Sequence, residues 1–282
     1  MKYKYEIAGI RLSIEYHYDE YLTNNIERYR IDDFEPVDHD IRVQLVNHIE
    51  EPLENSFRQK NPYVIKRNHE TVMYAKTSKN IVRELFTIRN DYQSIDILIN
   101  PTLHTNASEM EYAILSVNFM EIAMRHQFLP FHASAILYQD QAILFSAPSQ
   151  TGKSTHARYW KQIFPEVQFI NDDKPLLKIE DNDIMVYGSP FSGKSSININ
   201  TKAPLKAIVF IKQGTTNQMR PIQGDEALKE LMKNMLRPDD EKVWDDMIQV
   251  INAIMEEIPM YCLEATHSVD AAQAAHDILF GG

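Results

Sequence analysis

Ala147-Pro-Ser149-Gln150-Thr151-Gly152-Lys153-Ser154-Thr155 sets a glycine, a lysine and two hydroxyls side by side. That combination lets backbone amides cradle a phosphate, an ammonium neutralise it and a hydroxyl reach Mg²⁺. The segment departs from the pattern G-x-x-x-x-G-K-[ST] at its first position, which is Ala147. A second segment, Gly188-Ser-Pro-Phe-Ser-Gly193-Lys194-Ser195, fits the same pattern at every position.

Context separates the two. A phosphate loop joins a buried strand to a helix whose N-terminal amides and dipole meet the anion. Ala142-Ile-Leu-Phe-Ser146 precedes the first segment as an apolar strand, and the residues after Lys153 place Ala157, Trp160, Ile163 and Phe164 on one helical side. After Lys194, by contrast, Ser-Ser-Ile-Asn-Ile-Asn alternates with period two and Pro204 follows. The nucleotide site is therefore expected at Ser149, Gln150, Thr151, Gly152, Lys153, Ser154 and Thr155. Lys153 would hold the β- and γ-phosphates and Ser154 would reach Mg²⁺. The literal match is expected to be a strand-edge turn or a glycine turn facing the phosphate or substrate.

Asn171-Asp172-Asp173-Lys174 follows the short apolar run Val167-Gln-Phe-Ile170. The carboxyl ends of strands are where open α/β sheets bind ligands. Phosphorylating a hydroxyl needs a base near the attacking oxygen, and Mg²⁺ needs a carboxylate or its own water shell, so two aspartates can divide the work. His132 opens the apolar strand before the loop. A lone histidine on such a strand is commonly a satisfied core residue, although this one stands next to the phosphate loop. The other histidines show neither HExxH nor paired Cys/His spacing, so zinc chemistry has no support.

Elements that could position these residues are legible along the chain. The length of 282 residues fits one or two domains. A net charge of −11 argues against a non-specific nucleic-acid or anionic-membrane binder. With Cys262 as the only cysteine there is no intramolecular disulfide, which fits a cytoplasmic protein. Alternation at the N-terminus and the lack of a long apolar run argue against secretion and membrane insertion. Of 8 glycines none lies between Gly9 and Gly152, so the unusual backbone conformations gather in the second half.

Residues 1–107 carry strand-like runs at 3–7, 10–16, 41–45, 71–74 and 95–99, predicting a smaller, mainly antiparallel β-rich domain with nothing catalytic in it. A helix is expected over 108–127, with Ser108 as its cap. Strands at 132–138, 141–146, 167–171, 183–187 and 205–212 and helices at 154–164, 225–236, 240–257 and 268–279 then make residues 108–282 an α/β nucleotide-binding domain, α+β over the whole chain. Arg220 reads as a solvated surface residue.

Taken together, His132, the Ser-Gln-Thr-Gly-Lys-Ser-Thr loop, Asn-Asp-Asp and Tyr187-Gly-Ser-Pro-Phe-Ser-Gly193 resemble the catalytic domain of the HPr serine kinase/phosphorylase family. They also resemble HPr-kinase-like proteins often associated with peptide-modification systems, whose core is similar to phosphoenolpyruvate carboxykinase. The resemblance covers roughly 125–280. It implies an ATP-dependent phosphotransferase with Asp172 as general base, His132 beside it, Asp173 as metal-side carboxylate, and Ser192, Gly193 and Lys194 lining the substrate side. Three departures stand out: Ala147 replaces glycine, Ala133-Ser134 follows the histidine, and the second signature lacks the glutamate that HPr kinases use on the metal. The N-terminal half does not resemble that of HPr kinases, so HPr as substrate, the hexamer and the reverse reaction do not carry over.

The leading expectation is thus a Mg²⁺- and ATP-dependent kinase acting on a hydroxyl, a serine of a peptide or protein or else a small molecule. The alternatives are a nucleotide-binding sensor or partner-binding module with weak chemistry, and a carboxykinase-like enzyme acting on a metabolite carboxylate or enol. The first half would recognise the acceptor or pack a homo-oligomer.

Overall fold

Alternating apolar residues build the first sheet. Tyr5 and Ile7 on β1 (Lys2–Ile7), Leu12 and Ile14 on β2 (Ile10–Glu15), and Ile41 and Val43 on the strand His39–Leu45 are all buried. The computed structural model describes residues 2–33, 35–58, 60–148, 151–238 and 240–281. It divides into two compact units, Met1–Ile122 and Ala123–Gly282. Among the described residues it is a mixed α/β structure with two sheets and six α-helices.

In the first unit, α1 (Asp19–Ile26) follows β2, and then come β3 (His39–Leu45), β4 (Tyr63–Lys66), β5 (Glu70–Lys76), β6 (Val82–Arg89) and β7 (Ser94–Ile99); α2 (Ala107–Arg125) begins in this unit and its last residues belong to the second. The seven-stranded sheet has the order β1-β2-β3-β7-β6-β5-β4. Four pairings are antiparallel, as expected, but β3 runs parallel to both β2 and β7. The charged stretch after β2 holds α1, which buries Leu22, Asn25 and Ile26 and gives the chain the crossover that a parallel pairing needs. Ala8 and Gly9, both at positive φ, close the β1–β2 hairpin in the manner of a two-residue turn. Ser108 lies inside α2 rather than capping it. The Glu109 N–H is instead taken by Asn106 Oδ1 at 3.1 Å.

The second unit comprises β8 (Leu129–Pro130), β9 (Ser134–Tyr138), β10 (Gln141–Ser146), α3 (Lys153–Ile163), β11 (Gln168–Asn171), β12 (Leu176–Glu180) and β13 (Asp183–Tyr187). After these come β14 (Lys202–Gln213), β15 (Gln218–Pro221), α4 (Gly224–Asn234), α5 (Glu241–Glu257), β16 (Met260–Ala265) and α6 (Asp270–Phe280). Strands β11-β9-β10-β14-β13-β12-β8 form one path, and β16 joins β14 to β15. At the centre, β14 runs parallel to β10 on one side and to β16 on the other.

Neighbouring residues on these central strands point to opposite faces. Leu144 and Ile208 pack with Leu231, Met247 and Ile254 of α4 and α5. Phe145 and Val209 pack with Ala157 and Trp160 of α3 and with Ala272 and Ala275 of α6. Helices thus cover both faces, and the carboxyl ends of β10, β14 and β16 share one edge. His132 stands between β8 and β9 rather than opening a strand. Among the described residues no helix is long and apolar enough to cross a membrane.

Candidate functional site

Residues at the end of β10 make the first part of the site. The Thr151 N–H donates to the Pro148 carbonyl at 3.1 Å, and Gly152 follows at φ 107°, ψ 17°, a left-handed conformation that side-chain-bearing residues avoid. The Gly152 carbonyl then accepts the His156 N–H at 2.8 Å, and α3 begins. Among the described residues no side chain caps this helix. Its first amides, which have no partners within the helix, therefore stay available to an anion. Ser149 and Gln150 lie outside the described residues.

Buried rings anchor α3. Trp160 Nε1 donates to His156 Nε2 at 3.2 Å, and the His156 ring meets Phe145 of β10 edge-on, with centroids 4.7 Å apart. Burial pushes the His156 pKa down to about 3, so the ring is neutral and serves as acceptor.

Lys153 turns toward the acidic turn. Its Nζ lies 2.8 Å from His132 Nε2 and 3.9 Å from Asp173 Oδ1, while His132 Nε2 is 3.2 Å from the same carboxylate oxygen. Lys174 closes on the other oxygen of Asp173. One ring nitrogen thus faces a donor and an acceptor: protonated, His132 Nε2 donates to Asp173; unprotonated, it accepts from Lys153. Burial of Asp173 opposes its ionisation, but the His132 hydrogen bond and the Lys174 charge together outweigh this and hold the carboxyl well below the usual range. Burial also lowers the Lys153 pKa, against the pull of Asp173 and Asp172.

The backbone explains why these groups meet. Asn171 Oδ1 accepts the N–H groups of Asp173 at 2.8 Å and Lys174 at 2.7 Å, and its amide nitrogen donates to the Ser189 carbonyl at 2.8 Å. The His132 carbonyl accepts Ser146 Oγ at 2.8 Å, its N–H donates to the Asn234 carbonyl at 2.7 Å, and the Ala133 N–H donates to the Asp173 carbonyl at 3.2 Å.

Asp172 occupies a different environment. It is 4 % exposed, and its Oδ1 accepts Ser134 Oγ at 2.6 Å. That hydroxyl is also 3.4 Å from Ser154 Oγ, and Arg158 Nη2 lies 4.0 Å from Asp172 Oδ2. Ser134 therefore stands between the carboxylate and the first turn of α3.

The second glycine segment also reaches the site. A Cβ on Gly188 would come within 1.9 Å of the Ile199 carbonyl oxygen, so the chain closes on itself where only glycine fits. A Cβ on Gly193, at φ 65°, would lie 3.4 Å from Cβ and Cγ of Asp173. The Asp172 N–H donates to the Ile197 carbonyl at 3.1 Å, tying the two segments together. Gly193–Ser195 is a single 3₁₀ turn and not the start of an α-helix. Ser192 is buried and accepts Asn198 Nδ2 at 3.2 Å, and Lys194 is exposed. Arg220 pairs with Glu226 at the surface, at 2.6 Å.

Six of the expected residues, His132, Lys153, Ser154, Asp172, Asp173 and Gly193, thus gather at one end of the sheet, and Thr151, Gly152 and Thr155 stand beside them. Ser134, Arg158 and Lys174 join them without having been expected, as does His267, whose Cε1 would lie 3.5 Å from a Cβ on Gly152. Lys174 could have been found from its place directly after the two aspartates. Among the described residues no group of three or more His, Cys, Asp or Glu is placed to hold a metal. Mg²⁺ has a lighter requirement, one or two carboxylates together with phosphate oxygens and water, and Ser154 with the aspartates fits it.

The chain matches no family profile, and no curated protein matches it. Among solved structures it is similar to the HPr(Ser) kinase/phosphatase from Coxiella burnetii, with 12 % identity and a TM-score of 0.31 over 54 % of this chain and 99 % of that one. At that degree of likeness the chemistry has to be read from this chain's own residues.

Proposed function

We propose that the second unit is a Mg²⁺- and ATP-dependent kinase that moves the γ-phosphoryl group to a hydroxyl, that of a serine in a peptide or protein or of a small molecule. The observation that carries this reading is the meeting of an uncapped helix start bearing Lys153 with two aspartates held in unlike surroundings. The first amides of α3 and the Lys153 ammonium would bind phosphate oxygens. Bound Mg²⁺ would add charge neutralisation there, held by Ser154 and Asp173. Asp173, ringed by His132, Lys153 and Lys174, stays an anion, as suits a metal-side group.

Asp172 has a different partner set, Ser134 and the more distant Arg158, and is the group to take the acceptor's proton. As the acceptor oxygen bonds to the γ-phosphorus, the bond to the bridging oxygen breaks and ADP departs with the electron pair. Half-buried Gly193 and exposed Lys194, on the segment lying against Asp173, would border the acceptor.

The test is transfer of labelled γ-phosphate to a panel of serine-bearing peptides and small alcohols, with the intact protein and Asp172→Asn side by side. The expected outcome is transfer by the intact protein and a drop of about 10²- to 10⁴-fold in the variant, with ATP binding retained. ATP binding without transfer to any acceptor would identify a nucleotide-binding module instead.

A further inference from the structure

We propose that His267 holds the nucleoside end of the nucleotide, its imidazole stacking on the base. This rests on the phosphate-loop reading above and adds to it the residue that distinguishes a nucleotide from a bare polyphosphate. The topology sets up the arrangement. β10, β14 and β16 run parallel, so the segments leaving β10 and β16 emerge at the same edge of the sheet. Both enter helices on the same face, α3 and α6, which pack together: the His276 ring of α6 stacks on Phe164 just past α3, with centroids 4.3 Å apart. His267 is thereby brought alongside Gly152 at the start of α3.

That segment is fixed, and its fixing leaves His267 turned outward. Asn217 Oδ1 accepts both the N–H of Thr266 at 2.8 Å and its hydroxyl at 2.9 Å. The Thr266 and Ser268 hydroxyls lie 3.0 Å apart, and the Ser268 N–H donates to the Thr266 carbonyl at 2.9 Å. Both neighbours of His267 are thus engaged locally, while its own ring is exposed and makes no hydrogen bond among the described residues. The ring nonetheless has a defined place. Its Cε1 would be 3.5 Å and its Nε2 4.0 Å from a Cβ on Gly152, the residue that opens the helix.

A phosphate chain bound at the first amides of α3 must hand the rest of its molecule outward past the rim of this loop. Beside Gly152 stands a planar aromatic face on a locally hydrogen-bonded segment, and the glycine leaves room for close approach. Stacking on such a ring is worth about 1–3 kcal/mol per base, roughly a tenfold or greater change in affinity, and requires no particular base edge.

The test is calorimetric titration of the full chain, His267→Ala and His267→Phe with Mg-ATP and, separately, with Mg-tripolyphosphate. The expected result is an ATP affinity about tenfold weaker in His267→Ala and recovered in His267→Phe, with tripolyphosphate binding the same in all three. Equal weakening of both ligands, no weakening of either, or failure of phenylalanine to restore ATP binding would overturn the assignment while leaving the phosphate loop standing. Failure of the intact protein to bind either ligand would overturn the phosphate-loop reading and this one with it.

Discussion

Ser134 Oγ donates to Asp172 Oδ1 at 2.6 Å, and both residues are buried. The bond fixes the orientation of the carboxylate proposed to take the acceptor's proton, and the same hydroxyl lies 3.4 Å from Ser154 at the start of the helix.

Replacing Ser134 by alanine removes the bond without filling its space. Hydrogen bonds to charged groups contribute about 1.5–3 kcal/mol, so phosphoryl transfer by Ser134→Ala should fall about tenfold or more. ATP affinity, which depends on the loop and Lys153, should change little. Steady-state transfer rates alongside ATP titrations check this. A fall in ATP affinity as large as the fall in rate would place Ser134 in nucleotide binding instead.

His156 gives the structure a pH dependence of its own. Its folded pKa, pushed by burial to about 3 from the usual 6.5, is depressed, so the unfolded state binds more protons at pH values between them. Its stabilising contribution is full above pH 6.5 and is lost progressively as pH falls toward 3. The slope is about 1.4 kcal/mol per pH unit in that window. Asp173, held below the usual carboxylate range, loses its contribution only at lower pH. His156→Gln keeps an acceptor near Trp160 Nε1 and removes the titration. Its melting temperature should therefore fall less than that of the unsubstituted protein between pH 6.5 and 4.5, as followed by thermal unfolding in a pH series. Parallel curves would contradict the assignment.

Much of the second unit is legible in the sequence because its signals are local. The apolar strand before Ala147, the glycine before Lys153 and the spacing of Ala157 and Trp160 announce strand, loop and helix in consecutive residues. The alternation after Lys194 likewise predicts that no α-helix begins there. What could not be read depends on pairing across distance. The parallel placement of β3 is set by neighbours that no local pattern names, and α1 presents few apolar residues, with Asn25 buried beside Leu22 and Ile26. Ser134 reaches Asp172 across 38 residues, and His267 reaches Gly152 only because β10 and β16 flank β14 in parallel.

The most direct test of the account is Mg²⁺-dependent ATP binding by calorimetry for the intact protein, Lys153→Ala and Lys194→Ala. Removing a charged partner of the phosphates should weaken binding about 10- to 100-fold in Lys153→Ala, and Lys194→Ala should bind within about twofold of the intact protein. Loss confined to Lys194→Ala would move the nucleotide to the Gly188–Ser195 segment and contradict the account.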